Sequence, residues 1–545
     1  MKVLLTTLNS KYIHKNLAIR WLYVTRPKEV EADIQEYTIN DDLDSIMAKM
    51  HIEEYDVVGL STYIWNSEMT KAWIYRIREA KPSIKIILGG PEVTYDNDSW
   101  FDTPIDAISV GEGEKELWKY IVTGKSTCTK EKKGQLTEIG RVDLKWLEQF
   151  ENPYFLEFDR KEMYQRYLYV ETSRGCPFGC SYCLSERDRA VRTFSEEYME
   201  NVYSEMEKFH IRQVKFLDRT FNLNYRKSLK TIQRLEKIRS VDSFAMELVA
   251  ENLPEEMITY MVEKMDKKRF RFEVGVQSFN RKTLEAVHRK SDLDKLKSVI
   301  QRLNDAGVIL HTDLIAGLPY EDIHSFEDSY NQLFALYSYE LQCGTLKLLK
   351  GTTLRNEAED FGIEAEENAP YEVQKTHWLS KEDVELVEMA ALGTEKAYNN
   401  KRLSYTIKTV LQEDPSCSAF LLMAKLGEMI RGLPHPYQLR EYFLQAYEVF
   451  RETLSEEKLQ GALLFDYYKN TKNRPKMLFD SFSDKQWLRE RKAFNEYVLD
   501  HYAVYLPLYY NGLMIHQLVI YESGNKTCRH YLVDEENNRI EEIRE

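Results

Sequence analysis

The feature that most restricts the fold is an alternation of short β-branched runs with helical runs, present twice before residue 351. In the first stretch VLLTT leads to a helical run from Asn16, ADIQEYTI to one from Asp41, and DVVGLS to one from Ser67. IKIILGG follows, and DAISVGEGE opens onto a last helix near Leu117. Strands alternating with helices in this way predict a parallel sheet covered on both faces. Residues 1–123 are therefore expected to form a doubly wound, Rossmann-like α/β domain. Small and polar residues collect where its strands end: Asn9, Ser61 with Thr62, Gly89 with Gly90, and Gly111-Glu112-Gly113. In doubly wound sheets a ligand sits at those carboxyl ends, although βα turns alone also need small residues there.

Residues 124–153 are polar, lack a clear period and are expected to be a linker. From residue 154 the alternation resumes with LYVET, QVKFLD, SFAMEL, RFEVGVQS, VILHTDLIAG and YELQCGTLKLL. Six such units predict a partial (β/α)6 barrel over 154–350, with its chemistry at the C-terminal ends of the strands. Residues 351–545 are expected to form a mostly helical domain ending in a small β-meander, with turns at Asn511-Gly512 and Gly524-Asn525.

The formal net charge of −14 argues against general binding to nucleic acid or to an anionic membrane. No stretch approaches the ~18 apolar residues of a membrane span. The start, MKVLLTTLNSKYIH, is too short in its apolar run for a secretory signal, which predicts a cytoplasmic protein.

Seven cysteines are present, and Cys176, Cys180 and Cys183 are bunched in VETSRGCPFGCSYCLSERD. An odd count without a secretory signal does not read as a disulfide framework. The bunch follows directly on LYVET, so it lies at the C-terminal mouth of the expected barrel. Thiolates at this spacing suit an iron–sulfur cluster, which usually takes four; three leave one iron open. The rival occupant is structural zinc, which normally takes four ligands, and no second Cys or His pair stands nearby.

C-x-x-x-C-x-x-C after the first strand of a partial barrel, with Tyr182 before the third cysteine, resembles the radical S-adenosylmethionine (radical SAM) superfamily. The resemblance implies a [4Fe–4S] cluster on Cys176, Cys180 and Cys183 whose open iron chelates S-adenosylmethionine. It implies reductive cleavage to a 5′-deoxyadenosyl radical, chemistry carried by the cofactor. It also implies cofactor contacts at successive strand ends: Asp218, Glu247, Gln277 and Ser278. Many relatives carry two adjacent acids where this chain has Asp218-Arg219.

The doubly wound domain in front of the barrel resembles the cobalamin-binding subclass, through GLS near 59–61, GGP at 89–91 and GEGE at 111–114. Asn9, Ser61, Thr62, Tyr63, Trp65, Gly89, Gly90, Gly111, Glu112 and Gly113 are the corrinoid candidates this implies, with Tyr63 and Trp65 placed to cover the lower face. The Asp-x-His-x-x-Gly motif of some cobalamin proteins is missing around His14, which reads as a helix-start residue. The function implied is cobalamin-dependent methyl transfer to an unactivated carbon or phosphorus centre. Cyclisation, rearrangement or sulfur insertion, with a vestigial or structural cobalamin domain, are the enzymatic alternatives; a redox or metal sensor is the non-enzymatic one. The implied partners are an undefined substrate and an electron donor such as flavodoxin or ferredoxin.

Overall fold

A computed structural model describes residues 1–134, 136, 138–471, 502–510, 513–521, 528–534 and 539–543. The chain divides into two compact units. The first holds Met1–Asp322, Leu336–Ser338 and Thr345–Ser380; the second holds the remainder.

The first unit opens with strands β1 (Lys2–Asn9), β2 (Glu31–Thr38), β3 (Val57–Ser61), β4 (Lys85–Gly89), β5 (Ala107–Ser109) and β6 (Thr129–Glu131). Their order in the sheet is β2-β1-β3-β4-β5-β6, with β1–β5 parallel and β6 antiparallel to β5. Edge strand β6 and a short helix at Leu144–Leu147 lie in the stretch expected to be only a linker.

Four helices cover this sheet: α1 (Leu17–Val24), α2 (Leu43–Met50), α3 (Ser67–Ala80) and α4 (Glu116–Thr123). Alternation along each strand sends side chains to both layers. Leu4 and Leu8 of β1, Val58 and Leu60 of β3 and Ile86 of β4 pack with Trp73 and Ile77 of α3. Val3, Leu5, Val57 and Ile87 pack on the other face with Ile19 of α1 and Leu117 of α4. The order reverses direction between β1 and β3, and such a switch point opens a crevice beyond the strand ends.

The same unit continues with β7 (Leu168–Val170), a small ribbon of β8 (Ser173–Arg174) and β9 (Arg192–Thr193), and then β10 (Ile211–Phe216), β11 (Val241–Leu248), β12 (Phe270–Gln277) and β13 (Ile309–Ala316). β7, β10, β11, β12 and β13 pair in parallel in that order. Phe270, Phe272, Val274 and Val276 of β12 are buried, while Arg271, Glu273, Gly275 and Gln277 between them are only partly covered. This is the alternation of a barrel wall that buries its apolar face and keeps a polar one. The sixth expected strand, Glu340–Thr345, groups mainly with the second unit.

The second unit is mostly helical, and four antiparallel strands at Tyr502–Tyr510, Leu513–Tyr521, Cys528–Asp534 and Arg539–Glu542 form its meander. The expected turns at Asn511-Gly512 and Gly524-Asn525 lie outside the described residues. Helices Lys381–Gly393 and Ala419–Gly432 cross where Gly393 and Gly427 meet. A methyl on Gly427 would fall 1.9 Å from the carbonyl oxygen of Met389, so only glycine permits this approach. Among the described residues no helix is long and apolar enough to cross a membrane.

Candidate active site

The cysteine loop leaves β7 and is closed at its base by the β8–β9 ribbon, where Ser173 pairs with Thr193 and Arg174 with Arg192. Gly175 takes φ +92, and a Cβ there would stand 2.5 Å from the carbonyl oxygen of Ala190. The left-handed backbone and the tight approach both require glycine, and they start the loop's wrap. The wrap is fixed by Cys176 N donating to Asp188 O at 2.9 Å and Cys183 N to Cys180 O at 3.0 Å. Ser181 N donates to Val287 O at 3.0 Å. Cys176 is buried with its Sγ 3.9 Å from Thr220 Oγ1; Cys180 and Cys183 are half-buried.

The spread of the thiols distinguishes possible occupants. Two thiolates on one tetrahedral zinc stand about 3.8 Å apart, given Zn–S near 2.3 Å. Among the described residues, the only three ligating groups that gather within 4.8 Å are the exposed His51, Glu53 and Glu54. At least one pair of the three thiols therefore stands farther apart than 4.8 Å, and among the described residues no other Cys or His gathers with them at that range. This donor set fits a polynuclear cluster with three protein ligands.

The remaining barrel candidates divide. Asp218 is 2% exposed, and both its oxygens are engaged: Thr172 N donates at 3.0 Å, Thr172 Oγ1 at 2.6 Å, and Ser173 Oγ also donates. Burial raises its pKa while these hydrogen bonds oppose the rise. Asp218 therefore clamps the turn from which the cysteine loop springs. Glu247 is half-buried, and desolvation pushes its pKa up to about 7, opposed by Arg219 and reinforced by Glu273, Asp313 and Asp218. Gln277 follows a β-bulge, takes φ +71 and keeps a buried Oε1 without a partner. Ser278 is fully buried, donates to Glu321 and accepts from Asn280 N at 2.9 Å. Tyr182 is half-buried, packs beside Val287 and Leu318, and has its phenol pKa raised by burial.

At the switch point of the first sheet, Asn9 ends β1 and donates to Glu36 Oε1 at 3.0 Å and His14 O at 3.1 Å. Beyond β3, Thr62 N donates to Gly89 O at 2.7 Å, which holds the ends of β3 and β4 together. Tyr63 and Trp65 stack at 4.3 Å and 8°. Trp65 donates Nε1 to Leu8 O at 3.2 Å, and Asn16 Nδ2 donates to Tyr63 Oη at 2.9 Å. Trp65 is nevertheless 45% exposed. A flat aromatic ledge fixed at a strand-end crevice and left bare is suited to a large planar ligand. Ser61, Gly89, Gly90, Gly111 and Gly113 lie at the same end of the sheet; a Cβ at Gly90 would stand 2.4 Å from Thr62 O and one at Gly111 2.5 Å from Gly140 O, so these two glycines let neighbouring loops approach closely. His14 Nδ1 stands 2.6 Å from Tyr169 Oη of β7, and burial with Lys215, Lys11 and Arg166 lowers its pKa.

Glu112 has a further employment. It receives Arg192 through both oxygens, at 2.9 and 2.6 Å, and Val142 N at 2.7 Å. Arg174 pairs with Glu114 at 2.8 Å and Glu171 at 2.7 Å, and Trp21 of α1 also donates to Glu171 at 2.7 Å. The loop after β5 is thus bolted to the ribbon at the base of the cysteine loop. No linear motif points to Arg174 or Arg192, because their partners Glu114 and Glu112 follow β5 of another sheet.

These features define two strand-end sites, one at a three-thiol loop and one at a switch point of the first sheet. Residues 170–333 match the model of the radical SAM superfamily, residues 3–118 that of the B12 binding domain, and residues 359–515 that of a protein family of unknown function, DUF4080. The cofactors these domains define are a [4Fe–4S] cluster with S-adenosylmethionine, and a cobalamin. Among curated proteins the chain is similar to the cobalamin-dependent radical SAM methyltransferase TokK of Streptomyces tokunonensis. Identity is 24% over 350 residues, covering 57% of this chain and 50% of TokK. The chain spans about half the length of the curated relatives it matches first. Among solved structures it resembles the cobalamin-dependent S-adenosylmethionine radical enzyme OxsB, with TM-score 0.58, 17% identity, and 86% of this chain and 74% of OxsB covered. It also resembles the radical S-adenosylmethionine methyltransferase TsrM of Kitasatospora setae, with TM-score 0.55, 15% identity, and 68% and 78% covered. At these identities the structures establish the shared fold.

Proposed function

We propose that the chain is a cobalamin-dependent radical SAM methyltransferase acting on an unactivated centre. The observation that carries this reading is the joining of two strand-end sites in one compact unit, through Glu112 with Arg192 and Glu114 with Arg174. The curated names of TokK and of a carbapenam-carboxylate methyltransferase from Streptantibioticus cattleyicolor support it. When bound, the cluster with S-adenosylmethionine supplies a 5′-deoxyadenosyl radical, and the corrinoid supplies a transferable methyl group.

The chain's own residues do the holding. Cys176, Cys180 and Cys183 ligate the cluster, and Asp218 fixes the turn that presents them. Gln277, with its unpaired oxygen, and Glu247 line the polar barrel wall beside S-adenosylmethionine. Tyr63 and Trp65 form the corrinoid ledge, and Asn9, Ser61, Thr62, Gly89, Gly90, Gly111 and Gly113 shape the crevice around it. Glu112 acts in positioning, since Arg192 and Val142 already occupy its carboxylate. An aliphatic carbon is not a nucleophile, so accepting a methyl requires prior hydrogen abstraction, and both sites must reach one substrate. The electron comes from a flavodoxin or ferredoxin type of donor, and the scattered free cysteines suit the cytoplasm.

The test is anaerobic incubation of the reconstituted enzyme with S-adenosylmethionine, reductant and a metabolite extract. For a carbon acceptor, 5′-deoxyadenosine and S-adenosylhomocysteine are expected in about equal amounts, with a product one methyl heavier. 5′-Deoxyadenosine alone with an unmethylated product would reject methyl transfer in favour of cyclisation or rearrangement.

A further inference from the structure

The polar wall of the barrel holds a cation that the proposed function leaves unused. Lys215 lies on β10, where it pairs in register with Tyr169 of β7 and Ala245 of β11, and Ala245 pairs with Arg271 of β12. Residues in register on neighbouring strands point to the same face. Lys215 and Arg271 therefore share one layer of the polar face, with the small Ala245 between them. Glu247 and Glu273 pair one layer further toward the carboxyl ends. Lys215 comes three residues before Asp218, which at ~3.3 Å per residue sets it roughly 10 Å below the turn beside the cysteine loop.

Lys215 is half-buried, and its Nζ stands 5.3 Å from the centre of the Tyr167 ring. Among the described residues no carboxylate forms an ion pair with it, whereas Lys15 and Lys350, also withdrawn from solvent, reach Asp159 at 3.4 Å and Glu92 at 3.1 Å. A cation withdrawn from water is costly unless an anion answers it. The surroundings of Lys215 indicate where that anion comes from. β7 is the edge strand of the barrel sheet, and the loop after β1 packs on it. Tyr167 N donates to Ile13 O at 2.8 Å, Arg166 donates to His14 O, and His14 Nδ1 stands 2.6 Å from Tyr169 Oη. Two residues on, Asn16 caps α1 and donates to Tyr63 of the aromatic ledge. Lys215 thus sits where the strand ends of the first sheet meet the barrel. Burial lowers the pKa of His14, and Lys215, Lys11 and Arg166 lower it further, so the potential at this seam is positive.

We infer that Lys215 is a specificity-determining residue of the methyl transfer: it anchors an oxyanion, a carboxylate or a phosphate, carried by the substrate. The inference rests on the methyl-transfer reading. An ammonium on a mobile stem takes such a group as a point charge, through charge-assisted hydrogen bonds. Anchored there, the substrate lies on the side of the barrel nearest the corrinoid ledge, where its reacting carbon can be presented to both sites. No bond to Lys215 forms or breaks, and the ammonium keeps its proton throughout.

The experiment supplies the reconstituted full-length enzyme with S-adenosylmethionine labelled in its methyl group, reductant and a metabolite extract in three forms. One is untreated, one is treated with alkaline phosphatase, and one is amidated at its carboxylates with carbodiimide and methylamine. Labelled product is expected from the untreated extract and is expected to be lost in one treated form, phosphatase loss marking a phosphate and amidation loss a carboxylate. Lys215→Met is expected to raise the apparent KM, measured in dilutions of the extract, about tenfold or more with a smaller change in kcat, and Lys215→Arg to stay within about threefold of the parent. A Met variant with the parent's KM, or labelled product that survives both treatments, would overturn the inference and leave methyl transfer standing. So would a Met variant that loses affinity for hydroxocobalamin while its KM holds, since the cation would then serve the corrinoid phosphate. If the Met variant takes up no cluster, Lys215→Gln replaces it in both comparisons, and the same failure in Lys215→Gln overturns the inference in favour of a packing role. No labelled product from any extract, with S-adenosylmethionine still cleaved by the parent, would refute methyl transfer itself, and the inference would fall with it.

Discussion

The two sites in the first unit are built by opposite means. The cysteine loop uses three reactive side chains at fixed spacing, held by a short ribbon and by backbone hydrogen bonds. The crevice beyond β1 and β3 uses shape: strand ends, small residues, and the stacked pair Tyr63 and Trp65. A loop that binds through covalent ligands must carry them in sequence. A crevice that binds through shape can be lined by many residue types.

If this contrast is right, the loop tolerates almost no backbone change. Gly175→Ala introduces a Cβ in a left-handed conformation against the oxygens of Ala190 and Asp188. Strain of about 1–2 kcal/mol for the φ alone, with the clash added, should displace Cys176. Iron incorporation after anaerobic reconstitution should fall severalfold, and full incorporation would show that the loop is less constrained than its geometry implies.

The crevice should respond more gently. Trp65→Ala removes an exposed ring from the ledge, and corrinoid affinity is expected to drop about tenfold, or ~1.4 kcal/mol, an ordinary value for one aromatic contact. Equilibrium binding of hydroxocobalamin measures this. Unchanged affinity would move the corrinoid away from Tyr63 and Trp65.

Glu112 separates the two kinds of role. Glu112→Gln weakens a partly buried bidentate pair with Arg192, so the fold should lose about 1–3 kcal/mol, with a lower urea midpoint for the apo protein. Corrinoid affinity should change less than twofold. A variant that keeps its urea midpoint and loses corrinoid binding would return Glu112 to the crevice.

A pH-dependent effect concerns Glu247. Its folded pKa of about 7 lies above the ordinary glutamate value, so protonation favours the fold. Stability from this group is fully present below about pH 4.5 and is lost as pH rises through 7. Glu247→Gln should therefore match the parent at low pH and exceed it by up to ~2 kcal/mol near pH 8. Urea titrations of the apo proteins at both pH values check this, and a pH-independent difference would contradict it.

Sequence reading reached most of the architecture because its signals are local. Period-2 runs such as VLLTT and RFEVGVQS, followed by helical runs, place β1–β5 and the barrel strands directly. The cysteine motif is local too. What the sequence hid is pairing across elements. Thr129–Glu131 has no strand pattern of its own and becomes an edge strand by docking on β5. Glu112 looks like part of a ligand loop until Arg192, 80 residues away, takes both its oxygens. Asp218 stands at a strand end, as family resemblance suggested, yet its hydrogen bonds go to Thr172 and Ser173.

Cys176, Cys180 and Cys183 are proposed to hold one [4Fe–4S] cluster with an open iron for S-adenosylmethionine. Iron and sulfide analysis with Mössbauer spectroscopy, after anaerobic reconstitution of the parent chain and of the triple Cys→Ala variant, tests it most directly. About four irons and four sulfides per parent chain are expected in a single cubane, with one iron site altered by S-adenosylmethionine, and essentially none in the variant. A variant that reconstitutes to the parent's level, or a parent that binds a single ion through the three thiols, would contradict it.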